Sequence, residues 1–272
     1  MRVAFVLAAT SRGPMIVNRL DFHPQHGYGV GAQILETGSY EESEVMLGAN
    51  LLNLRRKHYG DGCQAVDCGA NIGVLTVGWA KHMAGWGHVL AIEAQEHVFY
   101  ALSGNVALNN CFNAQVANVA MGKSIGYLEI PQLDPQRPGS FGSLELQPSA
   151  RDPDVGQSVD YDKNLTMRLM TTLDSFHLPR LDFLKIDVEG MELDVLEGGS
   201  ETIVQHKPVL MIEWIKTDVA RLYNYLRDLG YHQHKIGMNV LAVHSTDPVA
   251  QHISAEAGKV TISDEPLPTY VY

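Results

Sequence analysis

The sequence predicts an α/β protein: a doubly wound, mostly parallel sheet with helices on both faces. Three observations point there. Short apolar runs alternate with helical stretches between Cys63 and His244, the order expected of strands joined by crossover helices. Val66-Asp67-Cys68-Gly69-Ala70-Asn71-Ile72-Gly73 reads as a strand, a tight turn and a helix start. Acidic or amide residues recur where strands end, at Asp67, Glu93, Asn118, Asp187 with Glu189, and Glu213, which is where such sheets bind ligands.

In chain order, Val3–Ala9 and Ile16–Leu20 read as strands around the turn residues Ser11-Arg12-Gly13-Pro14. A glycine-rich connection leads into Ala32–Glu36. Glu41–His58 has leucines at helical spacing, with Glu41, Glu42 and Glu44 at its start and Arg55, Arg56 and Lys57 at its end, as the helix dipole favours. Ala65–Cys68 is a short strand and Ile72–Met83 a helix. His88–Glu93 is a strand, Glu96–Asn109 a helix, and Gln115–Ala120 and Tyr127–Ile130 are strands. Pro131–Tyr161 is rich in Pro, Gly, Ser and Asp and has little periodicity. It is expected to be a mobile cover over a binding site. Met167–Thr172 is extended and Asp174 starts a short helix. Leu181–Asp187 is a buried strand, Met191–Glu197 a helix, Val209–Trp214 a strand and Asp218–Leu229 a helix. Tyr231–Ile236 and Asn239–His244 close the pattern as an antiparallel pair.

The composition is that of a globular chain: 272 residues, 45% hydrophobic and 19% charged. No apolar run approaches the ~18–20 residues of a membrane helix, and Val3–Ala9 reads as an edge strand, not a signal peptide. With 31 acidic and 20 basic residues the net charge is −11, which argues against nucleic acid as a partner. Cys63, Cys68 and Cys111 give neither a zinc pattern nor an even disulfide set and fit a reducing, cytoplasmic setting. Twelve histidines show no ligand pattern. His23 with His26, and His232 with His234, are read as solvated or hydrogen-bonded, and no metal is assigned.

The chemistry concentrates at the first strand end. Gly69 permits a tight turn and close approach of a ligand, and the helix start offers free N–H groups to an anion. The glycines are spaced G-x-x-x-G, which fits neither a nicotinamide fingerprint nor a phosphate loop. Asp67 suits an ammonium group. A ligand with both a carboxylate and an ammonium, such as the methionine end of S-adenosylmethionine, matches the pair. Glu93, ending the next strand, is placed to hydrogen-bond a ribose.

These residues, with Asn105, Asn109, the block Asn118-Val119-Ala120-Met121-Gly122 and the run Leu184-Lys185-Ile186-Asp187-Val188-Glu189-Gly190-Met191-Glu192, resemble the FkbM-type family of class I S-adenosylmethionine-dependent methyltransferases. The likeness continues through Val195–Gly199 and Pro208–Glu213, and covers about Cys63 to His244. Cys68 stands where Val or Ile is commoner; the first 60 residues and Pro131–Tyr161 match nothing specific. The resemblance implies a seven-stranded, Rossmann-like sheet whose last strand is antiparallel, and S-adenosyl-L-methionine as cofactor. It implies that Asp67, Gly69 and Asn71 surround the methionine end, with Gly73 counted in the same binding turn. Glu93 would bind the ribose, and Asn118 and Ala120 would flank the adenine.

A hydroxyl acceptor needs a base or a metal to lose its proton. Asp187, Glu189 and Glu213 are the candidate catalytic carboxylates, with Lys185 positioned to keep one ionised. A divalent ion shared by Asp187 and Glu213 is the less favoured alternative. Glu189 is weighed equally as a cap on the following helix; Glu192 and Glu197 are expected at the surface. Trp214 is read as a stacking platform or as core. The organisation expected is an N-terminal extension over 1–60, a methyltransferase domain over 61–246 with an insertion loop at 131–161, and a C-terminal tail over 247–272. O-methylation of a small-molecule, carbohydrate or natural-product hydroxyl is the leading expectation. N-methylation of a peptide or amine, and cofactor binding without turnover, are the alternatives. The sequence leaves the oligomeric state open.

Overall fold

The computed structural model describes residues 3–149, 154–256, 259–263 and 265. The chain begins with an antiparallel hairpin, β1 (Phe5–Thr10) and β2 (Gly13–Asn18), then helices α1 (Val30–Thr37) and α2 (Glu42–Tyr59). Alternation follows: β3 (Cys63–Cys68), α3 (Val74–His82), β4 (Gly87–Ile92), α4 (Glu96–Leu108) and β5 (Ala114–Ala117). The strands β6 (Ala120–Met121), β7 (Gly126–Pro131) and β8 (Leu165–Thr171) leave the main sheet and form one of their own. Then come β9 (Phe183–Ile186), α5 (Glu192–Gly198), α6 (Ser200–His206), β10 (Val209–Glu213), α7 (Val219–Asp228), β11 (Tyr231–Ile236) and β12 (Asn239–His244). A last hairpin pairs β13 (Ile253–Glu256) with β14 (Lys259–Ile262).

The central sheet has seven strands in the order β11-β12-β10-β9-β3-β4-β5. Its neighbours pair in parallel except β12, which is antiparallel to both β10 and β11. This is the class I methyltransferase sheet, with its reversed strand inserted between the last two parallel ones. The order reverses between β3 and β9, so their carboxyl ends open a crevice.

Strand alternation sends Cys63, Ala65, Phe183, Val209 and Met211 into one core, and Val66, Cys68, Leu184, Leu210 and Ile212 into the other. The first core is shared with the N-terminal segment. Met15, Val17, Ile34, Val45 and Leu51 join α3 within it, so residues 5–59 close one face of the sheet. Trp79 anchors this layer: it is fully buried, its ring stands edge-on to Phe183 at 5.1 Å, and its Nε1 donates to the Val45 carbonyl at 3.1 Å. Gly48 leaves room for it, since a Cβ there would stand 2.5 Å from Trp79 Nε1.

Asn105 and Asn109 fasten the hairpin to α4. Asn105 Nδ2 donates to the carbonyls of Ile72 (2.8 Å) and Ile16 (3.1 Å), and Asn109 Nδ2 to that of Pro14 (2.8 Å). The expected strand Gln115–Ala120 divides: β5 ends at Ala117, and Ala120–Met121 pairs with β8 instead. Glu192, expected at the surface, is fully buried. The start of the expected tail is anchored, because Asp247 and Asp182 both pair with buried Arg55. Among the described residues no helix is long and apolar enough to cross a membrane.

Candidate active site

A cavity of about 880 Å³ opens at the carboxyl ends of β3, β4, β9 and β10. The sequence forces its narrowest feature. Gly69 has φ +79°, and a Cβ on it would lie 1.7 Å from the Asp187 carbonyl oxygen, so the turns after β3 and β9 touch and only glycine fits. Asn71 follows with φ 50°, which asparagine tolerates better than most residues. Asp67 is nearly fully buried and accepts from Thr76 Oγ1 at 2.6 Å. Burial pushes its pKa up to about 6 against that hydrogen bond. Glu93 accepts the backbone N–H groups of Asn71 (3.0 Å) and Gln95 (2.7 Å). Burial still pushes it up to about 7. Asp67, Gly69, Asn71 and Glu93 all line the cavity.

The other expected cofactor residues lie elsewhere. Gly73 is not in the wall; its φ of +86° and the closeness of Leu102 on α4 explain the glycine. Asn118 turns inward, donating to the carbonyls of Glu93 (2.8 Å) and Ala94 (3.2 Å) and accepting from Arg168. Ala120 is buried. The wall there is Val119 and Met121, because the chain leaves the main sheet after Ala117 and the alternation shifts.

Asp187, Glu189 and Glu213 do converge, with carboxylate oxygens within 4.8 Å of one another. Their partners differ. Lys185 Nζ holds Asp187 Oδ2 at 2.9 Å, and Lys216 holds Glu189 while donating to the Ser143 carbonyl at 2.7 Å. Burial alone would lower the Lys185 pKa, but Asp187, Glu44 and Glu41 outweigh it and keep the group firmly charged. Glu213 has no hydrogen bond or ion pair among the described residues. Burial, then the charges of Asp187 and Glu189, push its pKa well above the carboxylate range. Burial and Asp187 push Glu189 up as well, against Lys216. Three oxygen donors could hold a hard cation, but two lysine ammoniums already neutralise this set, a poor fit to a dedicated divalent site.

Glu189 does not cap α5. It stands in the left-handed region at φ 57°, and the residue preceding the helix is Met191. Glu192 organises this turn, accepting from the backbone N–H groups of Val188 (3.2 Å) and Gly190 (3.0 Å) and from the Thr217 hydroxyl. Trp214 is outside the cavity, its Nε1 on the Gly237 carbonyl at 3.2 Å and Lys235 Nζ 3.9 Å from its ring centroid.

Sequence reasoning missed the wall supplied by the less distinctive segments. Tyr40 and Glu41 line the cavity, so Glu41 serves more than the helix dipole. Burial and the charge of Glu44 raise its pKa. The 131–161 segment contributes Ser143, Leu144, Glu145 and Val155, and Phe141, Leu144, Leu146 and Val155 are buried despite the absent periodicity. Positions 150–153 of that segment lie outside the described residues. His23 has a companion here: its Nε2 meets Asp154 Oδ1 at 2.7 Å, while Nδ1 accepts from the N–H groups of Gln25 and His26 at 3.2 Å. With Nδ1 accepting, Nε2 carries the proton that it donates to Asp154.

The sheet order and the carboxylate-lined crevice at its switch point define a class I methyltransferase-type protein. Residues 67–232 match the methyltransferase FkbM domain, and the chain belongs to that family. It is 30% identical over 158 residues to methyltransferase sdnD of Sordaria araneosa, covering 50% of this chain and 60% of that protein. It is 28% identical over 154 residues to methyltransferase 1 of Beauveria bassiana, covering 52% and 59%. The chain thus spans about three fifths of the length of these curated relatives. Among solved structures, a methyltransferase FkbM from Methylobacillus flagellatus is 21% identical with a TM-score of 0.48, over 68% of this chain and 44% of that one.

Proposed function

We propose that the protein binds S-adenosyl-L-methionine and methylates a hydroxyl of a small-molecule or carbohydrate acceptor. The observation that carries this reading is the unequal pairing of three converging carboxylates: Asp187 and Glu189 are each held by a lysine, and Glu213 has no partner among the described residues. The cofactor fits the residues present. Gly69 lines the cavity where the turns after β3 and β9 touch, Asp67 suits the ammonium of the methionine end, and Glu93 suits the ribose diol. When bound, the cofactor supplies a methyl group on a sulfonium, an electrophile that needs no activation by the protein. The chain's own residues then position the acceptor and receive its proton. Glu213, unpaired and with a raised pKa, is the base. Lys185 and Lys216 fix Asp187 and Glu189 beside it; burial and both neighbouring charges raise the Glu213 pKa to about 9 in the free protein, and the positive charge of a bound sulfonium would draw it back toward the range in which a base works near neutrality.

The test has two arms. Calorimetry should detect S-adenosylhomocysteine binding that Asp67→Ala weakens at least about tenfold, the loss of one charge-assisted contact. With an acceptor found by tritiated-methyl transfer, Glu213→Gln should lower the rate constant roughly 10²–10⁴-fold, the usual contribution of a general base, while the cofactor affinity holds. An undiminished rate in that variant would remove Glu213 from the mechanism.

A further inference from the structure

The cavity wall carries more carboxyl groups than methyl transfer to a neutral hydroxyl explains. Among the described residues it holds eight carboxylate side chains, two lysines, and no arginine or histidine. Both lysines are engaged by Asp187 and Glu189. Asp67 and Glu93 face the cofactor in the reading above, and Glu213 takes the proton. Glu145 has no such assignment. It is 5% exposed yet lines the cavity, and its carboxylate has no hydrogen bond or ion pair among the described residues. A Cβ on Gly190 would stand 3.8 Å from Glu145 Oε2 and 3.8 Å from Lys216 Cβ, which places the carboxylate beside the Glu189–Gly190 turn. The carboxylate faces the cavity, where an occupying ligand displaces the water around it, so a ligand that brings its own donor keeps the charge satisfied. Glu41, carried to the same wall by the start of α2, adds a further carboxyl whose ionised form a bound cation would favour.

We propose that the acceptor bears an ammonium group and that Glu145 receives it; this rests on the methyl-transfer reading of the same cavity. An amino sugar, an aminocyclitol or a polyamine alcohol has the required chemistry. A phosphorylated or carboxylated acceptor meets repulsion from several sides and is rejected.

The probes are glucosamine, 2-deoxystreptamine and spermidine, their neutral counterparts glucose and myo-inositol, and glucose 6-phosphate. Each is titrated by calorimetry into the full chain saturated with S-adenosylhomocysteine. At least one amine should bind about tenfold or more tighter than the neutral counterparts. Glu145→Gln should weaken that amine by about tenfold or more, as expected when a charge-assisted hydrogen bond becomes a neutral one, and should leave S-adenosylhomocysteine affinity unchanged, which also reports an intact fold. The proposal is overturned if no amine binds, if a neutral or phosphorylated probe binds as tightly, or if Glu145→Gln retains amine affinity. Absence of S-adenosylhomocysteine binding in the unaltered protein would instead overturn the methyl-transfer reading itself.

Discussion

Asp67 and Glu93 show how one residue type is tuned by place. Each is almost wholly removed from water, and each is raised by that burial, to about 6 and about 7, despite the hydrogen bonds that favour its charged form. Asp21, buried where it accepts from the N–H groups of Phe141 and Gly31, is raised to about 6 for the same reason. The linkage has a definite sign. A carboxyl whose folded pKa exceeds its unfolded one binds more protons folded than unfolded, so its contribution is complete below the unfolded pKa and is lost as pH rises through the folded value. Stability of the free protein should therefore fall between about pH 4 and pH 7 in the part owed to these three groups, each contributing on the order of 3 kcal/mol for its shift of about two units. Denaturant titrations across that range check it. The decline should also shrink when S-adenosylhomocysteine is present, because an ammonium at Asp67 favours its ionised form. A stability that rises steadily over the window and ignores the ligand would contradict the burial of these carboxyls.

At the level of elements, the turn between β9 and α5 is the part most sensitive to a single change. Glu192 occupies its centre and satisfies two backbone N–H groups and the Thr217 hydroxyl at once. Glu192→Ala should cost about 2–4 kcal/mol by leaving buried donors unpaired, and should lower turnover because Glu189 and Lys216 lose their support. Thermal melting and single-turnover rates of the variant read the two effects separately; a change in neither would show the turn to be self-supporting. The element pattern itself was legible in the sequence. Strand and helix periods placed every member of the central sheet, and the Asp67–Gly73 and Leu184–Glu192 blocks marked the crevice. Glu192 was misread because a glutamate early in a helix looks like a solvated one; only the burial of the turn reveals that it faces inward. Asn118 and Ala120 stand outside the cavity wall for a related reason, since the chain departs from the sheet after Ala117 and the side-chain alternation does not continue across the break.

For the whole molecule, the cavity is built from three stretches far apart in sequence: the strand ends, the N-terminal segment and the 131–161 segment. Buried Phe141, Leu144 and Val155 join the core shared by the N-terminal segment and the sheet, and Lys216 reaches across to the Ser143 carbonyl. Ligand in the cavity should hold this segment closed. Limited proteolysis is expected to cut within 131–161 more slowly when S-adenosylhomocysteine is present, and still more slowly with a bound acceptor. Equal cutting in all states would mean the segment is a fixed wall and not a cover.

The sequence by itself determined the α/β class, the alternation of strands and helices, and the carboxylates at the strand ends, because each follows from local periodicity or from a residue demanded by backbone geometry. Gly69 is the sharpest instance, since no other residue fits between the two touching turns. The tertiary structure alone decided which carboxylates are paired and which are free. The alternation along one strand had already put Lys185 beside Asp187; the fold set Lys216 on Glu189, left Glu213 and Glu145 without a hydrogen bond or ion pair among the described residues, and brought Glu41 into the same wall. Pairing depends on which side chains meet across distant segments, and no period in the chain encodes that meeting.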